Sequence, residues 1–95
     1  MAMAVSRVER RAERRDKCVA VFGDDRAETT LDLFEILEFG WHDCYQEITP
    51  PSQVIDDILV CSEGSLAKMI RAVHLALADW RDLRLQADDR RARGA

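Results

Sequence analysis

The side chains in this 95-residue sequence that are best suited to hold a metal ion or attack a substrate are three cysteines and two histidines. They are Cys18, Cys44, Cys61, His42 and His74. Structural zinc sites usually take their ligands in close pairs, because one turn of chain must present two atoms to one metal. His42 and Cys44 lie two positions apart, and on a helix their side chains would diverge by about 200°. We therefore predict no metal site and no bound cofactor.

Cysteine catalysis is not predicted either. A cysteine nucleophile needs a nearby base and an exposed, electropositive environment. Cys44 falls beside Trp41 and Ile48 on an apolar helix face, and Cys61 ends an apolar helix. We interpret both cysteines as small hydrophobic residues.

Carboxylates are plentiful in the middle of the chain, but their spacing is that of a solvated helix surface. Acid–base catalysis needs two carboxylates held in a cleft with separated pKa values. Glycine-rich phosphate loops and serine-centred nucleophile elbows are absent from the sequence. We predict that the protein is not an enzyme and has no catalytic residue. A deep pocket lined by His42, Asp43 and Asp57 would argue for the enzymatic alternative.

The N-terminal segment is basic, although the whole chain carries a net charge of −4. Between Arg7 and Lys17, six basic residues accompany three acidic ones. On a helix, Glu13 is spaced to pair with Lys17 and with Arg10, which leaves several arginines without an internal partner. Phosphate contact by a basic arm is therefore an alternative to a solvated helix or a helix packed on protein. The arginines available to nucleic acid would be Arg7, Arg11, Arg14 and Arg15.

The composition predicts an all-α fold, because only two prolines and four glycines accompany 47% hydrophobic and 34% charged residues. We expect four helices, over residues 5–21, 26–48, 52–61 and 66–90, in one small four-helix bundle-like domain spanning residues 1–95. Residues 1–4 and 88–95 are predicted to be frayed ends. The run 18–22 fits either the end of the first helix or a short strand.

Several residues predict where these helices begin and end. Gly23 is expected to stop the first helix in a left-handed conformation. Asp25, with Glu28 three residues later, resembles a capping box at the start of the second helix. The two prolines after Thr49 should end that helix. Gly40, in its middle, predicts either a kink or the close approach of another backbone.

The second helix carries more apolar surface than one small core requires. Ile36 and Phe39 lie among Asp32, Glu35 and Asp43, on what should be its solvated side. The other apolar residues form one broad face, which consists of Leu31, Leu33, Phe34, Leu37, Trp41, Cys44, Tyr45 and Ile48.

The fourth helix has one continuous apolar stripe over residues 66–83, with Leu75 and Leu85 outside it. We expect it to pack antiparallel to the second helix, around Trp41 and Trp80. The apolar residues left over predict a homodimer. The alternatives are that the first helix covers Ile36 and Phe39 within one molecule, or that a different protein does. The predicted interface residues are Ile36, Phe39, Trp41, Tyr45 and Leu75.

These features predict a small, non-enzymatic regulatory module that binds protein through an acidic, aromatic-containing helix surface. One alternative is an immunity-type or antitoxin-type inhibitor of a basic effector. Another is a nucleic-acid-associated regulator that uses the basic N-terminal arm. No apolar run approaches the ~18 residues typical of a membrane span. The three cysteines lack paired spacing, so we expect a cytoplasmic protein with reduced thiols and no membrane association.

Overall fold

The computed structural model describes residues 6–94 and places them in four α-helices with short connections. The helices are α1 (Arg7–Phe22), α2 (Asp24–Tyr45), α3 (Ser52–Ser62) and α4 (Leu66–Gly94). Over this range there is no β-strand, so the predicted all-α fold is confirmed and the run 18–22 is helical. The fraying predicted for residues 1–4 concerns a segment outside the described residues.

Helix α1 begins with a side-chain cap that is visible in the sequence as Ser-x-x-Glu. The Ser6 hydroxyl accepts a hydrogen bond from the Glu9 backbone N–H at 3.1 Å and also contacts the Glu9 carboxylate. At the other end, the Gly23 N–H donates to the Val19 carbonyl at 2.8 Å, which confirms Gly23 as the stop. Its backbone (φ 84°, ψ 164°) has the positive φ expected but not the left-handed helical ψ, and this region is essentially restricted to glycine.

Helix α2 begins and ends earlier than its sequence suggests. Gly23 occupies its N-cap and makes no side-chain cap, so the predicted capping box of Asp25 and Glu28 is wrong. The acidic residues of its first turn, Asp24 and Asp25, instead lie where the helix dipole favours negative charge. The helix stops at Tyr45 because Gln46 is left-handed (φ 56°, ψ 32°). Residues 46–51 therefore form the connection to α3.

The main packing is between sequence neighbours: α3 lies on α4 in the most extensive contact, and α1 lies on α2. The contact between α2 and α4, expected at the centre of the bundle, is smaller than either of these. One part of this contact is Leu77 against Gly40, at which an added Cβ would stand 2.8 Å from the Leu77 Cδ1. The close neighbour of Gly40 is thus a side chain of α4 and not a backbone, and α2 continues through Gly40 as helix.

The core is formed by α2, α3 and α4, with one buried residue from α1. These buried hydrophobic residues are Cys18, Ala27, Leu31, Phe34, Leu37, Trp41, Val54, Ile55, Ile58, Leu59, Cys61, Met69, Ala72, Val73, Ala76, Leu83 and Ala87. None of the helices over residues 6–94 combines the length and hydropathy needed to cross a bilayer.

Helix α4 is broken at Asp79, whose backbone is extended (φ −161°, ψ 92°). The Asp79 carboxylate caps the helix that restarts there, since it accepts hydrogen bonds from the N–H groups of Arg81 at 3.1 Å and Asp82 at 3.3 Å. The restarted helix continues to Gly94 and buries Leu83 and Ala87. The tail predicted to fray is therefore helical over residues 88–94.

The hydroxyl of Tyr45 forms hydrogen bonds at the break in α4. It donates to the carbonyl oxygens of Ala76 at 3.0 Å and Leu77 at 3.1 Å. In an unbroken helix these two carbonyls would accept from the N–H groups of residues 80 and 81. Tyr45 thus supplies α4 with a donor that the break removes and connects the end of α2 to the middle of α4.

Candidate protein interface

The arginines of α1 are occupied by the carboxylates of α2. Arg11 contacts Glu28 at 2.6 Å and Asp32 at 3.0 Å, and it also pairs with Glu35. Arg7 approaches Glu35 at 3.6 Å, and Arg15 pairs with Glu28. The inference that internal pairing leaves several arginines free is wrong, because the pairs form between two helices and not along α1.

Glu38 is the carboxylate that lies deepest in this junction. Arg10 Nε donates to its Oε2 at 2.5 Å, and Arg14 NH1 to the same oxygen at 3.1 Å. The Thr49 hydroxyl adds a third hydrogen bond at 2.7 Å. Burial raises the pKa of Glu38, but the hydrogen bonds from Arg10 and Thr49 and the charges of Arg14 and Arg10 outweigh it and hold the pKa below its usual value. This cluster joins α1, α2 and the 46–51 connection.

Asp57, on α3, forms a second buried cluster. It accepts from Arg84 Nε at 2.6 Å and from Arg91 NH2 at 2.8 Å, and its side chain is 1% exposed. His42 and Asp43 line a different depression, beside α1. The pocket of His42, Asp43 and Asp57 that would have argued for an enzyme is therefore not formed.

The three cysteines are free thiols in two environments. Burial raises the pKa of Cys18 to about 11 and also raises the pKa of Cys61, so both stay protonated at neutral pH. Cys44 is exposed, so its interpretation as a residue of the apolar face is wrong. Across residues 6–94, no group of three or more His, Cys, Asp or Glu residues is arranged to hold a metal ion.

Three large apolar side chains, two in the second half of α2 and one in the 46–51 connection, are exposed to solvent. Ile36 is 60% exposed, Phe39 63% and Ile48 64%. Ile36 and Phe39 are three residues apart and so share one side of α2, while Phe39 and Ile48 line the same depression of about 390 Å³. We call these three residues the α2 patch. Helix α1 covers Glu35 and Glu38 but leaves the patch open, so the alternative that α1 buries Ile36 and Phe39 does not hold.

The other residues predicted for the interface lie deeper. Trp41 is 3% exposed, and its indole N–H donates to Glu47 at 3.0 Å. Tyr45 and Leu75 are half-buried against the core. These three offer a partner little surface in the folded chain. Ile48 was not predicted to be an interface residue, because it was placed inside the second helix on its apolar face. The Pro-Pro pair two residues later was a sign that this helix ends earlier.

Charged side chains of both signs border the α2 patch. Arg7 and Asp43 line the same depression as Phe39. The Asp43 carboxylate is 87% exposed, and the Nδ1 atom of His42 lies 4.0 Å from it. The patch therefore has an apolar centre with a cation towards α1 and an anion towards the end of α2.

Comparison of the chain with protein-family models, with curated proteins and with solved structures gave no match.

Proposed function

We propose that this chain is a non-enzymatic protein-interaction module that uses the α2 patch, and that its partner is a second copy of the chain. The observation that carries the proposal is the exposure of Ile36, Phe39 and Ile48 close to one another on the surface. Large apolar side chains that are exposed near one another are typical of contact sites.

The size of the patch suits the centre of an interface. From the ~150–250 Å² that one aromatic side chain can bury, we estimate that the three exposed residues offer roughly 300–400 Å². A standard interface buries about 800 Å² per partner, of which about 57% is apolar. The α2 patch would supply most of the apolar part of such an interface. The polar residues around the patch would supply its polar part.

The charges favour a second copy over a basic partner. Glu28, Asp32, Glu35 and Glu38 are already paired with arginines of α1, so most of the acidic residues in the middle of α2 are not open to a basic effector. In a two-fold dimer the same surface meets itself. Arg7, which is only loosely paired with Glu35 at 3.6 Å, and the exposed Asp43 could then serve as counter-charges across the two-fold axis.

The same pairing lowers the support for nucleic-acid binding. Phosphate contact by Arg7, Arg11, Arg14 and Arg15 would require these side chains to exchange their carboxylate or Thr49 partners for phosphates. The predicted cytoplasmic location remains part of the proposal, and the free thiols support it.

The test is the mass of the protein in solution, measured by light scattering or sedimentation equilibrium over a range of concentrations. We expect twice the chain mass of 10.9 kDa for the wild type. Ile36→Asp/Phe39→Asp should be monomeric with unchanged helix content. The matched control is Ile70→Asp/Leu85→Asp, which places the same charges on exposed apolar positions of α4 and should remain dimeric.

Two results would contradict the proposal of a second copy. One is a wild type that stays monomeric at every concentration. The other is an Ile36→Asp/Phe39→Asp variant that dimerises as the wild type does, which would place the contact elsewhere.

A further inference from the structure

We infer that a second site, an aromatic depression on the other side of α2, binds a small amphoteric molecule of the aromatic amino-acid class. The depression has a volume of about 340 Å³, which is within the range of small-molecule sites. It lies where the end of α2, the start of α3 and the break in α4 meet. Its main lining residues are Trp41, Tyr45, Glu47, Val54, Trp80 and Arg84. This inference is independent of the proposed dimer.

The aromatic residues give the depression an apolar wall. The rings of Trp41 and Tyr45 pack with their centroids 4.3 Å apart. The indole N–H of Trp41 is occupied by Glu47, and the Tyr45 hydroxyl by the carbonyls of α4. Trp41 is buried and packs against Tyr45, so the ring carbons that a ligand could contact belong mainly to the partly buried Tyr45 and Trp80. A flat apolar group is the ligand part that fits such a wall.

Arg84 supplies a cation with unused donors. Its Nε donates to the buried Asp57, and this bond fixes the side chain in place. Within residues 6–94 the two terminal NH₂ groups of Arg84 have no hydrogen-bond acceptor. The end of a guanidinium presents two parallel donors that match a carboxylate.

Glu47 supplies an anion that lacks a counter-charge. One carboxylate oxygen accepts the Trp41 N–H. No Lys, Arg or His side chain of the described part of the chain lies within 4.0 Å of Glu47. Glu47 and Arg84 therefore line one depression without pairing with each other. A ligand that carries an ammonium and a carboxylate beside an aromatic ring would satisfy both charges and the wall.

The experiment titrates the full chain with three compounds that share one ring. L-phenylalanine has both charges, N-acetyl-L-phenylalanine lacks the ammonium, and L-phenylalaninamide lacks the carboxylate. Binding is followed by the NMR signal of the Trp80 indole N–H and by calorimetry. We expect L-phenylalanine to bind most tightly and each analogue about ten- to a hundredfold more weakly, the range for loss of a charged hydrogen bond.

A variant tests which side chain binds the ammonium group of the ligand. Glu47→Gln keeps an oxygen for the Trp41 N–H but loses the charge, so it should bind L-phenylalanine about as weakly as the wild type binds the N-acetyl compound. Asp43→Asn removes the same charge from α2 outside the depression and should bind like the wild type. Arg84 is left intact because its removal would also uncover the buried Asp57.

Several results would overturn the inference. A Trp80 signal that does not move with millimolar L-phenylalanine would remove the site. Equal affinity for the three compounds would show stacking without charge recognition. Tighter binding of the N-acetyl compound would indicate a site for a peptide carboxyl terminus, and equal effects of Glu47→Gln and Asp43→Asn would exclude Glu47 as the ammonium partner.

Discussion

Glu38 and Asp57 are the charged residues that the fold buries among residues 6–94, and each is held by two arginines. A buried carboxylate is costly unless hydrogen bonds compensate it. Here no buried side-chain polar atom of the described residues is without a partner. Arginine suits this role because its guanidinium stays charged and offers several donors in a fixed plane.

The first prediction concerns Glu38. Glu38→Gln should lower the free energy of unfolding by about 3 kcal/mol, the lower end of the range for breaking a buried ion pair, because Arg10 and Arg14 lose their shared counter-charge. Glu28→Gln is the matched control. Glu28 also pairs with two arginines but is exposed, so its loss should cost far less. Urea unfolding at pH 7 and one protein concentration measures both, and equal losses would contradict the assignment.

The second prediction is the pH dependence of that difference. The pKa of Glu38 in the folded chain lies below its usual value of 4.5. Its contribution to stability is therefore complete above about pH 4.5 and is lost as the pH falls through the lower, folded pKa. The gap in unfolding free energy between the wild type and Glu38→Gln should be constant at higher pH and shrink below pH 4.5. A difference that grows on acidification would show that the pKa of Glu38 in the folded chain is not lowered.

At the scale of the element, the break in α4 shows what a hydrophobic pattern does not reveal. The apolar stripe over residues 66–83 predicts one continuous helix, and the helix does bury apolar residues on both sides of the break, among them Met69, Val73 and Leu83, although Ile70 is exposed. The signal for the break was polar: Asp79, with a carboxylate three residues later at Asp82, is a typical helix start. The tyrosine that fills the break comes from α2, and helical spacing contains no information about such a contact between elements.

The third prediction tests how the break is stabilised. Asp79→Ala should lower the free energy of unfolding by about 1 kcal/mol, the usual cost of losing an N-cap, while Asp79→Asn keeps a capping oxygen and should cost much less. Tyr45→Phe leaves the carbonyls of Ala76 and Leu77 without their donor and should cost about 1–3 kcal/mol. Chemical unfolding measures all three. If Asp79→Ala and Asp79→Asn are equally stable, the Asp79 cap contributes nothing.

At the scale of the whole molecule, composition and periodicity predicted the fold class and the position of each helix to within a few residues. They did not predict which helices pack most closely. The pairing of Arg11 with Glu28, Asp32 and Glu35 joins residues that are far apart in sequence, so spacing within one helix could not identify it. The surplus of apolar residues at Ile36 and Phe39 and the packing of Trp41 were both visible in the helical spacing, but spacing did not show that Trp41 is too deeply buried to belong to an interface.

The packing also divides the molecule into parts held by different forces. Helix α3 buries most of its apolar residues against α4. Helix α1 has one buried residue, Cys18, and is joined to α2 largely through ion pairs. Salt screens exposed ion pairs but does not weaken apolar contacts. The attachment of α1 should therefore be the part of the fold that responds most to ionic strength.

The last prediction follows from this division. Native-state hydrogen exchange should show lower protection in α1 than in α3, and the difference should widen when NaCl is raised to about 1 M, where the screening length falls to about 3 Å. Glu28→Gln removes the partner of Arg11 and Arg15 and should reduce the salt dependence of α1 without changing that of α3. If α1 and α3 exchange at the same rate at both salt concentrations, α1 opens only with global unfolding, and its ion pairs do not form a separately weakened attachment.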